Sequence, residues 1–123
     1  MYTVTKTMEI ACAHKLDLPY ESACKRFHGH NLRISVTLAS DTLTEYGMVI
    51  DFKTLKAIMD NTIGKLDHRD LNTKVPFNPT AENLAGYIGC LIGASDIRNM
   101  PNNVTVLRVT VQESEGNVAT WER

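Results

Sequence analysis

The stretch Cys24-Lys25-Arg26-Phe27-His28-Gly29-His30-Asn31-Leu32-Arg33-Ile34-Ser35-Val36-Thr37-Leu38 decides how the rest of the chain reads. Over residues 28–38, Leu32, Ile34, Val36 and Leu38 alternate with Asn31, Arg33, Ser35 and Thr37, the period-two pattern of a half-buried strand. Residues two apart on a strand project to the same side, so His28 and His30 enter together, with Gly29 adding no bulk between them. Residues 2–13 repeat the pattern, with Val4, Met8, Ile10 and Cys12 set against Thr3, Thr5, Thr7 and Glu9. If the two strands pair as an antiparallel hairpin, the end of the first lies beside the start of the second, and His14 arrives next to His28 and His30.

Working outward, residues 44–47 read as a turn and 48–50 as a short return strand. Asp51 offers an N-cap to a helix carrying Phe52, Leu55, Ile58 or Met59, and Ile63, which Gly64 stops. Residues 66–79 read as irregular, and Thr80 then caps a second helix whose inner face is Leu84, Tyr87 or Ile88, and Leu91. Residues 99–103 read as a turn, 104–112 as a strand with Leu107, Val109 and Val111 on one face, 114–117 as a hairpin connection and 118–121 as the closing strand. The order β-β-α-α-β-β predicts an α+β fold: a four-stranded antiparallel sheet with two helices on one face.

Composition narrows the function classes. A chain of 123 residues, 43% hydrophobic and with net charge −1, reads as one soluble domain spanning residues 1–123. A strand-rich subunit of this size buries roughly 60–70% of its surface, which favours self-association. The chain has no basic run interleaved with aromatics, so nucleic acid is not an expected partner. Its apolar stretches fall short of a membrane span, and Met1 leads straight into strand pattern; the expectation is a cytoplasmic protein with no membrane partner. The three cysteines, Cys12, Cys24 and Cys90, form no CxxC pair, which suits a reducing compartment.

The chemistry follows from the histidines. Three neutral imidazoles suit Zn²⁺ at about 2.0–2.1 Å per nitrogen and leave a fourth tetrahedral position for water or substrate, as catalytic sites do. Short H-x-H pairs recur by accident; the third histidine and the hairpin geometry are what favour a metal site here. No HExxH helix, paired CxxC or deaminase-type signature competes. Cys24 precedes His28 in a loop beside Lys25 and Arg26, where cationic neighbours and a metal favour a thiolate base or nucleophile; a free loop cysteine is the bland alternative. Cys12 and Cys90 sit in apolar patterns and read as packing. Asp67 can orient His68 or raise its basicity, although adjacent residues seldom face each other, so the pair is read as acting on a substrate held by another chain. Glu113 continues the face of Leu107, Val109 and Val111. A buried acid there needs a partner, either a cyclic guanidine-like edge with two parallel N–H donors or a lysine or arginine.

These residues carry a resemblance. The segments Ala13-His14-Lys15-Leu16, Cys24 to His30, Gly47 to Asp51-Phe52, Leu66-Asp67-His68 with Leu71-Asn72, Asn78-Pro79-Thr80 with Glu82, and Val111-Gln112-Glu113 together resemble the 6-pyruvoyl-tetrahydropterin synthase family over essentially the whole chain. The match is strongest to the branch that forms 6-carboxytetrahydropterin in queuosine biosynthesis. The resemblance implies the tunnelling fold, in which trimers close a twelve-stranded barrel, two trimers stack into a homo-hexamer, and active sites lie between subunits. It implies that His14, His28 and His30 hold zinc, that Cys24 is the proton acceptor, that Asp67 and His68 form a relay, that Glu113 anchors the pterin and that Thr80 helps seat the ring. Lys15, Lys25 and Arg26 are read as triphosphate contacts, with surface solvation as the simpler role.

The implied reaction converts 7,8-dihydroneopterin triphosphate to 6-carboxy-5,6,7,8-tetrahydropterin, releasing acetaldehyde and triphosphate. The gap of three residues between Cys24 and His28 resembles the carboxy-forming branch, whereas pyruvoyl-forming enzymes resemble it with a longer gap. Cys12, in a position usually small and nonpolar, and Lys15, where arginine is common, depart from the pattern. The competing readings are a pyruvoyl-type synthase that eliminates triphosphate alone, and a non-catalytic, zinc-stabilised binding module.

Overall fold

The computed structural model describes residues 1–123. Strand β1 (Tyr2–His14) and strand β2 (His28–Ser40) form the expected antiparallel hairpin, in a register running from Tyr2 opposite Ser40 to His14 opposite His28. The alternation read from sequence is the burial alternation: Ile10, Cys12, Leu32, Ile34, Val36 and Leu38 are buried on one face. Hydroxyls meet on the other, where Thr5 bonds Thr37 at 2.8 Å and Thr7 bonds Ser35 at 2.7 Å. Cross-strand hydroxyl pairs of this kind stabilise a register.

Strand β4 (Thr105–Ser114) pairs with β2, and β5 (Asn117–Glu122) pairs with β4 through a hairpin in which Gly116 takes φ +81°, a conformation glycine adopts without steric cost. One expectation about β4 is corrected. Arg108 pairs with Thr37 and Val106 with Leu38, so Leu107 is an extra residue in the ladder. This bulge switches the inward set from Val104 and Val106 to Val109 and Val111, and leaves Leu107 half-buried.

Helix α1 (Phe52–Thr62) starts at the Asp51 cap, whose carboxylate accepts from Lys53 N at 2.7 Å. It runs past the expected stop at Gly64 into a 3-10 turn over Ile63–Leu66. The segment expected to be irregular contains two further elements: strand β3 (Arg69–Asp70), parallel to β1, and the short helix α2 (Leu71–Lys74), capped by Asp70. The sheet therefore has five strands, in the order β3-β1-β2-β4-β5, and is not the wholly antiparallel four-stranded sheet expected from sequence. Two-residue strands leave no periodicity to read. Residues 48–50 form no strand.

Helix α3 (Ala81–Gly93) has the Thr80 cap and packs on β4 and β5. Its inner face is Leu84, Ile88 and Ile92, with Leu91 only half-buried. The glycines that weaken its helical signature have a packing role: a Cβ on Gly86 would lie 3.6 Å from Trp121 Cδ1, and one on Gly89 only 2.6 Å from Trp121 Cζ3. With α1 and α3 on one face, a single apolar cluster joins Leu55, Met59, Leu84 and Ile88 to Ile34, Val36 and Val109. The opposite face and the edges β3 and β5 remain uncovered. No helix is long and apolar enough to cross a membrane.

Candidate metal centre and active site

The hairpin register places Cys12 opposite His30 and His14 opposite His28, so three imidazoles share the buried face at one end of the sheet. Their ring centroids lie 4.7 Å (His14 to His28), 5.0 Å (His14 to His30) and 4.7 Å (His28 to His30) apart, each pair edge-to-face. Glu113, near the end of β4, completes the group: ligand atoms of His14, His28, His30 and Glu113 all lie within 4.8 Å of one another.

Backbone carbonyls fix the ring orientations. His14 Nδ1 lies 2.8 Å from the Pro79 carbonyl and His28 Nδ1 lies 2.6 Å from that of Arg26. A carbonyl only accepts, so each Nδ1 carries its hydrogen and, in the neutral ring, each Nε2 presents a lone pair. Those two Nε2 atoms face each other at 3.1 Å. Two bare lone pairs at that distance repel, unless a cation stands against both. Tetrahedral angles at zinc–nitrogen distances of about 2.0–2.1 Å place ligand nitrogens roughly 3.3 Å apart, close to what is seen. His30 Nε2 gives the same indication. It is buried without a hydrogen-bond partner, and Glu113 Oε1, at 2.8 Å, is near enough to pair by charge but not aligned as an acceptor. Burial pushes the His14 pKa down, which keeps its imidazole neutral and ready to ligate. The donor set thus fits a divalent cation held by three imidazoles, two of which, His14 and His28, have their outer nitrogens oriented by main chain.

Glu113 is a quarter exposed and pairs with an imidazole, not with the lysine or arginine considered from sequence. It also lines a cavity of about 280 Å³ with Glu82, Asn117 and Val118, at the N-terminal end of α3. Thr80, expected to seat a ring, accepts from Asn83 N at 3.1 Å as the α3 cap.

Asp67 and His68 lie beside β1, just before β3 pairs with it. Asp67 Oδ1 accepts from Ala11 N at 2.9 Å, and His68 N donates to Ala11 O at 2.6 Å. The expectation that these neighbours do not face each other is corrected: His68 Nδ1 lies 3.0 Å from Asp67 Oδ1. The cause is the left-handed backbone at His68, φ +58°, which no sequence pattern announces. The hydrogen bond from Ala11 is the main reason that the Asp67 carboxyl titrates below the usual range. His68 is 78% exposed and directed away from the core.

Cys24 lies in a 3-10 turn, Ala23–Lys25, half-buried and outside the metal cluster; its carbonyl accepts from Leu16 N at 2.8 Å. Of the other two thiols, Cys12 is buried as expected and its pKa is pushed up to about 11, chiefly by desolvation. Cys90 is exposed, against the expectation of packing, because it falls on the outer side of α3. Lys15 and Lys25 border one cavity of about 320 Å³ together with Asp17 and Asn72. Arg26 is exposed, and what it contributes to the site within this chain is its carbonyl.

The carbonyls of Pro79 and Arg26 are functional groups that sequence reasoning missed, since any residue type supplies a carbonyl. The largest cavity, about 640 Å³ beneath residues 42–51, holds neither imidazole nor thiol and lies at the other end of β2.

Residues 3–123 match the family described as 6-pyruvoyl tetrahydropterin synthase. The chain is 39% identical over 94 residues to a 6-carboxy-5,6,7,8-tetrahydropterin synthase from Synechocystis, covering 72% of each chain. It is 35% identical over 89 residues to a dihydroneopterin monophosphate aldolase from Pyrococcus furiosus, again covering 72% of each. The solved 6-pyruvoyl tetrahydropterin synthase of Caenorhabditis elegans superposes with a TM-score of 0.82 at 26% identity, covering 99% of this chain and 95% of that one. With its histidine hairpin, its sheet and helix order and a family match running from the third residue to the last, the chain belongs to the 6-pyruvoyl tetrahydropterin synthase family.

Proposed function

We propose that this protein is a zinc-dependent carbon–carbon lyase that converts 7,8-dihydroneopterin triphosphate and water to 6-carboxy-5,6,7,8-tetrahydropterin, acetaldehyde and triphosphate, a step toward queuosine. The observation that carries the reading is the convergence of His14, His28 and His30 beside Glu113. The three imidazoles hold zinc, which supplies Lewis acidity toward the substrate's side-chain hydroxyls. Glu113 binds the amino and ring N–H groups of the pterin from the adjoining cavity, two parallel charge-assisted hydrogen bonds that fix the ring. Thr80, next in sequence to Ala81 of that cavity, helps seat it.

Cys24 takes a proton from the substrate side chain, and His68, held by Asp67, delivers one. His68 points away from its own core, and Asp67 is tied to the β1 edge, so this pair serves a substrate bound largely by a neighbouring copy. Free edges at β3 and β5 support such assembly, because edge-to-edge pairing of copies removes unpaired backbone groups. Trimers stacked into a homo-hexamer, with active sites between subunits, are the arrangement proposed. Lys15 and Lys25 border one cavity, where their charges suit a triphosphate, and Arg26, next in sequence to Lys25, is the third cation proposed for it. The whole chain acts as one domain, in the cytoplasm.

The similarity to the Pyrococcus furiosus aldolase favours a second reading, aldol cleavage of a dihydroneopterin phosphate. Incubation of the zinc-loaded protein with 7,8-dihydroneopterin triphosphate separates the readings. Acetaldehyde together with the mass of 6-carboxytetrahydropterin is expected. A 6-hydroxymethyl pterin with a phosphorylated two-carbon aldehyde would establish the aldolase, a pyruvoyl product would establish the triphosphate-eliminating synthase, and no turnover would leave a zinc-stabilised module.

A further inference from the structure

Beyond His14 the chain leaves the sheet, and residues 15–17 run on after β1 without a neighbouring strand. Two side-chain amides take that strand's place. Asn72 Oδ1 accepts from Lys15 N at 2.9 Å while Asn72 Nδ2 donates to Lys15 O at 3.0 Å. Asn78 treats Asp17 in the same way, at 2.9 Å and 3.1 Å. Each amide reproduces the reciprocal pair of bonds that one residue makes with its partner in an antiparallel ladder. Leu16, between the two clamped residues, donates its N–H to the carbonyl of Cys24 at 2.8 Å.

Both asparagines are themselves anchored through their main chain. Asn72 N donates to Asp70 Oδ1 at 3.0 Å, and the Asn78 carbonyl accepts from Asn83 Nδ2 at 2.9 Å. Immediately after Asn78 comes Pro79, whose carbonyl orients His14. The segment from Asp70 to Thr80 therefore grips the chain on both sides of Leu16, while also holding the first imidazole. A single turn of the Cys24 loop hangs from the gripped residue.

We propose that Asn72 and Asn78 are positioning residues: by clamping residues 15–17 they set, through the Leu16–Cys24 bond, where the Cys24 thiol stands relative to the three imidazoles. Asparagine is required because its amide has a donor and an acceptor at peptide spacing. Aspartate keeps only the acceptor, and glutamine displaces both by one methylene. The inference rests on the reading of Cys24 as proton acceptor, and its test keeps the two apart.

The test uses the intact zinc-loaded protein and the variants Asn72→Ala, Asn72→Asp and Asn78→Ala. In Asn72→Ala, kcat falls roughly tenfold or more with KM nearly constant, as for loss of an interaction realised in the transition state. The rate of Cys24 alkylation by iodoacetamide changes by a similar factor relative to that of exposed Cys90, and zinc content is unchanged. Asn72→Asp, which still accepts from Lys15, recovers part of kcat, and it carries the test if the alanine variant does not fold. Asn78→Ala changes Cys24 alkylation in the same sense. An unaltered ratio of Cys24 to Cys90 alkylation together with unaltered kcat, even with a lowered Tm, would overturn the inference and leave the amides a purely structural role. If Cys24→Ser retains turnover, the proton-acceptor reading fails, and the alkylation ratio still decides whether the amides position the thiol.

Discussion

His14 and His28 face each other Nε2 to Nε2 at 3.1 Å while their Nδ1 atoms are committed to the carbonyls of Pro79 and Arg26. A cation between them would offset the repulsion of their lone pairs. Chelation is therefore expected to remove activity and lower Tm together, and added zinc to restore both, since a ligand of the native state stabilises in proportion to the logarithm of its free concentration. Metal analysis should give one zinc per chain, and His28→Ala should abolish stoichiometric loading. Full activity in a metal-free preparation of the protein would refute the assignment.

Glu113 lies against His30 on one side and a cavity on the other. In its proposed role as pterin anchor, Glu113 loses its charge but keeps one acceptor in Glu113→Gln, which should raise KM by roughly tenfold or more, in the range of a lost charge-assisted hydrogen bond. Zinc content should be unchanged. A fall in zinc with little change in KM would make Glu113 a ligand instead.

The three thiols should separate on alkylation of the native protein. Cys90 is exposed and Cys24 half-buried, whereas Cys12 is buried with its pKa pushed up to about 11, so it holds almost no thiolate at neutral pH. Peptide mapping after a short iodoacetamide pulse should find label on Cys24 and Cys90 and none on Cys12 until the chain is unfolded. Native labelling of Cys12 would contradict its placement.

Asp67 predicts an acid limb. Its folded carboxyl titrates below the usual range because the Ala11 N–H bonds its charged form, so the unfolded chain takes up the proton first as pH falls. The stabilisation is present above the ordinary aspartate value of about 3.9 and is lost as pH drops through the lower folded value. Thermal melts of metal-free protein between about pH 5 and 3 should fall more steeply for the wild type than for Asp67→Asn, which keeps an acceptor but does not titrate in that range. Parallel curves would exclude the linkage.

Gly89→Ala tests the Trp121 contact. The added methyl would stand 2.6 Å from the indole, which must shift. Overpacking of this kind costs about 1–3 kcal/mol, enough to lower Tm by several degrees in a domain of this size. An unchanged or raised Tm would show that Trp121 repacks freely.

Much of this was readable because it repeats with a short period. The alternation in residues 28–38 and the position of His14 at the end of a matching alternation were enough to bring three imidazoles together, since an antiparallel register with one buried face admits no one-residue slip. The Asp51 and Thr80 caps were equally legible, as a side chain that accepts from a nearby N–H is a local chemical event. The bulge at Leu107 was not, because it depends on how β4 meets β2 and not on the residues of β4 alone. Strand β3 and helix α2 were too short to carry a pattern.

Which side chains share the buried end of the hairpin was already written in the residue order, because strand alternation is set by the covalent geometry of the chain. Their surroundings came from long-range packing: carbonyls of Pro79 and Arg26 on the outer nitrogens of His14 and His28, Glu113 beside His30, amides of Asn72 and Asn78 standing in for a strand, and His68 turned back on Asp67. Those contacts join residues far apart in the chain or depend on a single left-handed φ, and main-chain carbonyls are the same for every residue type, so no local pattern encodes them.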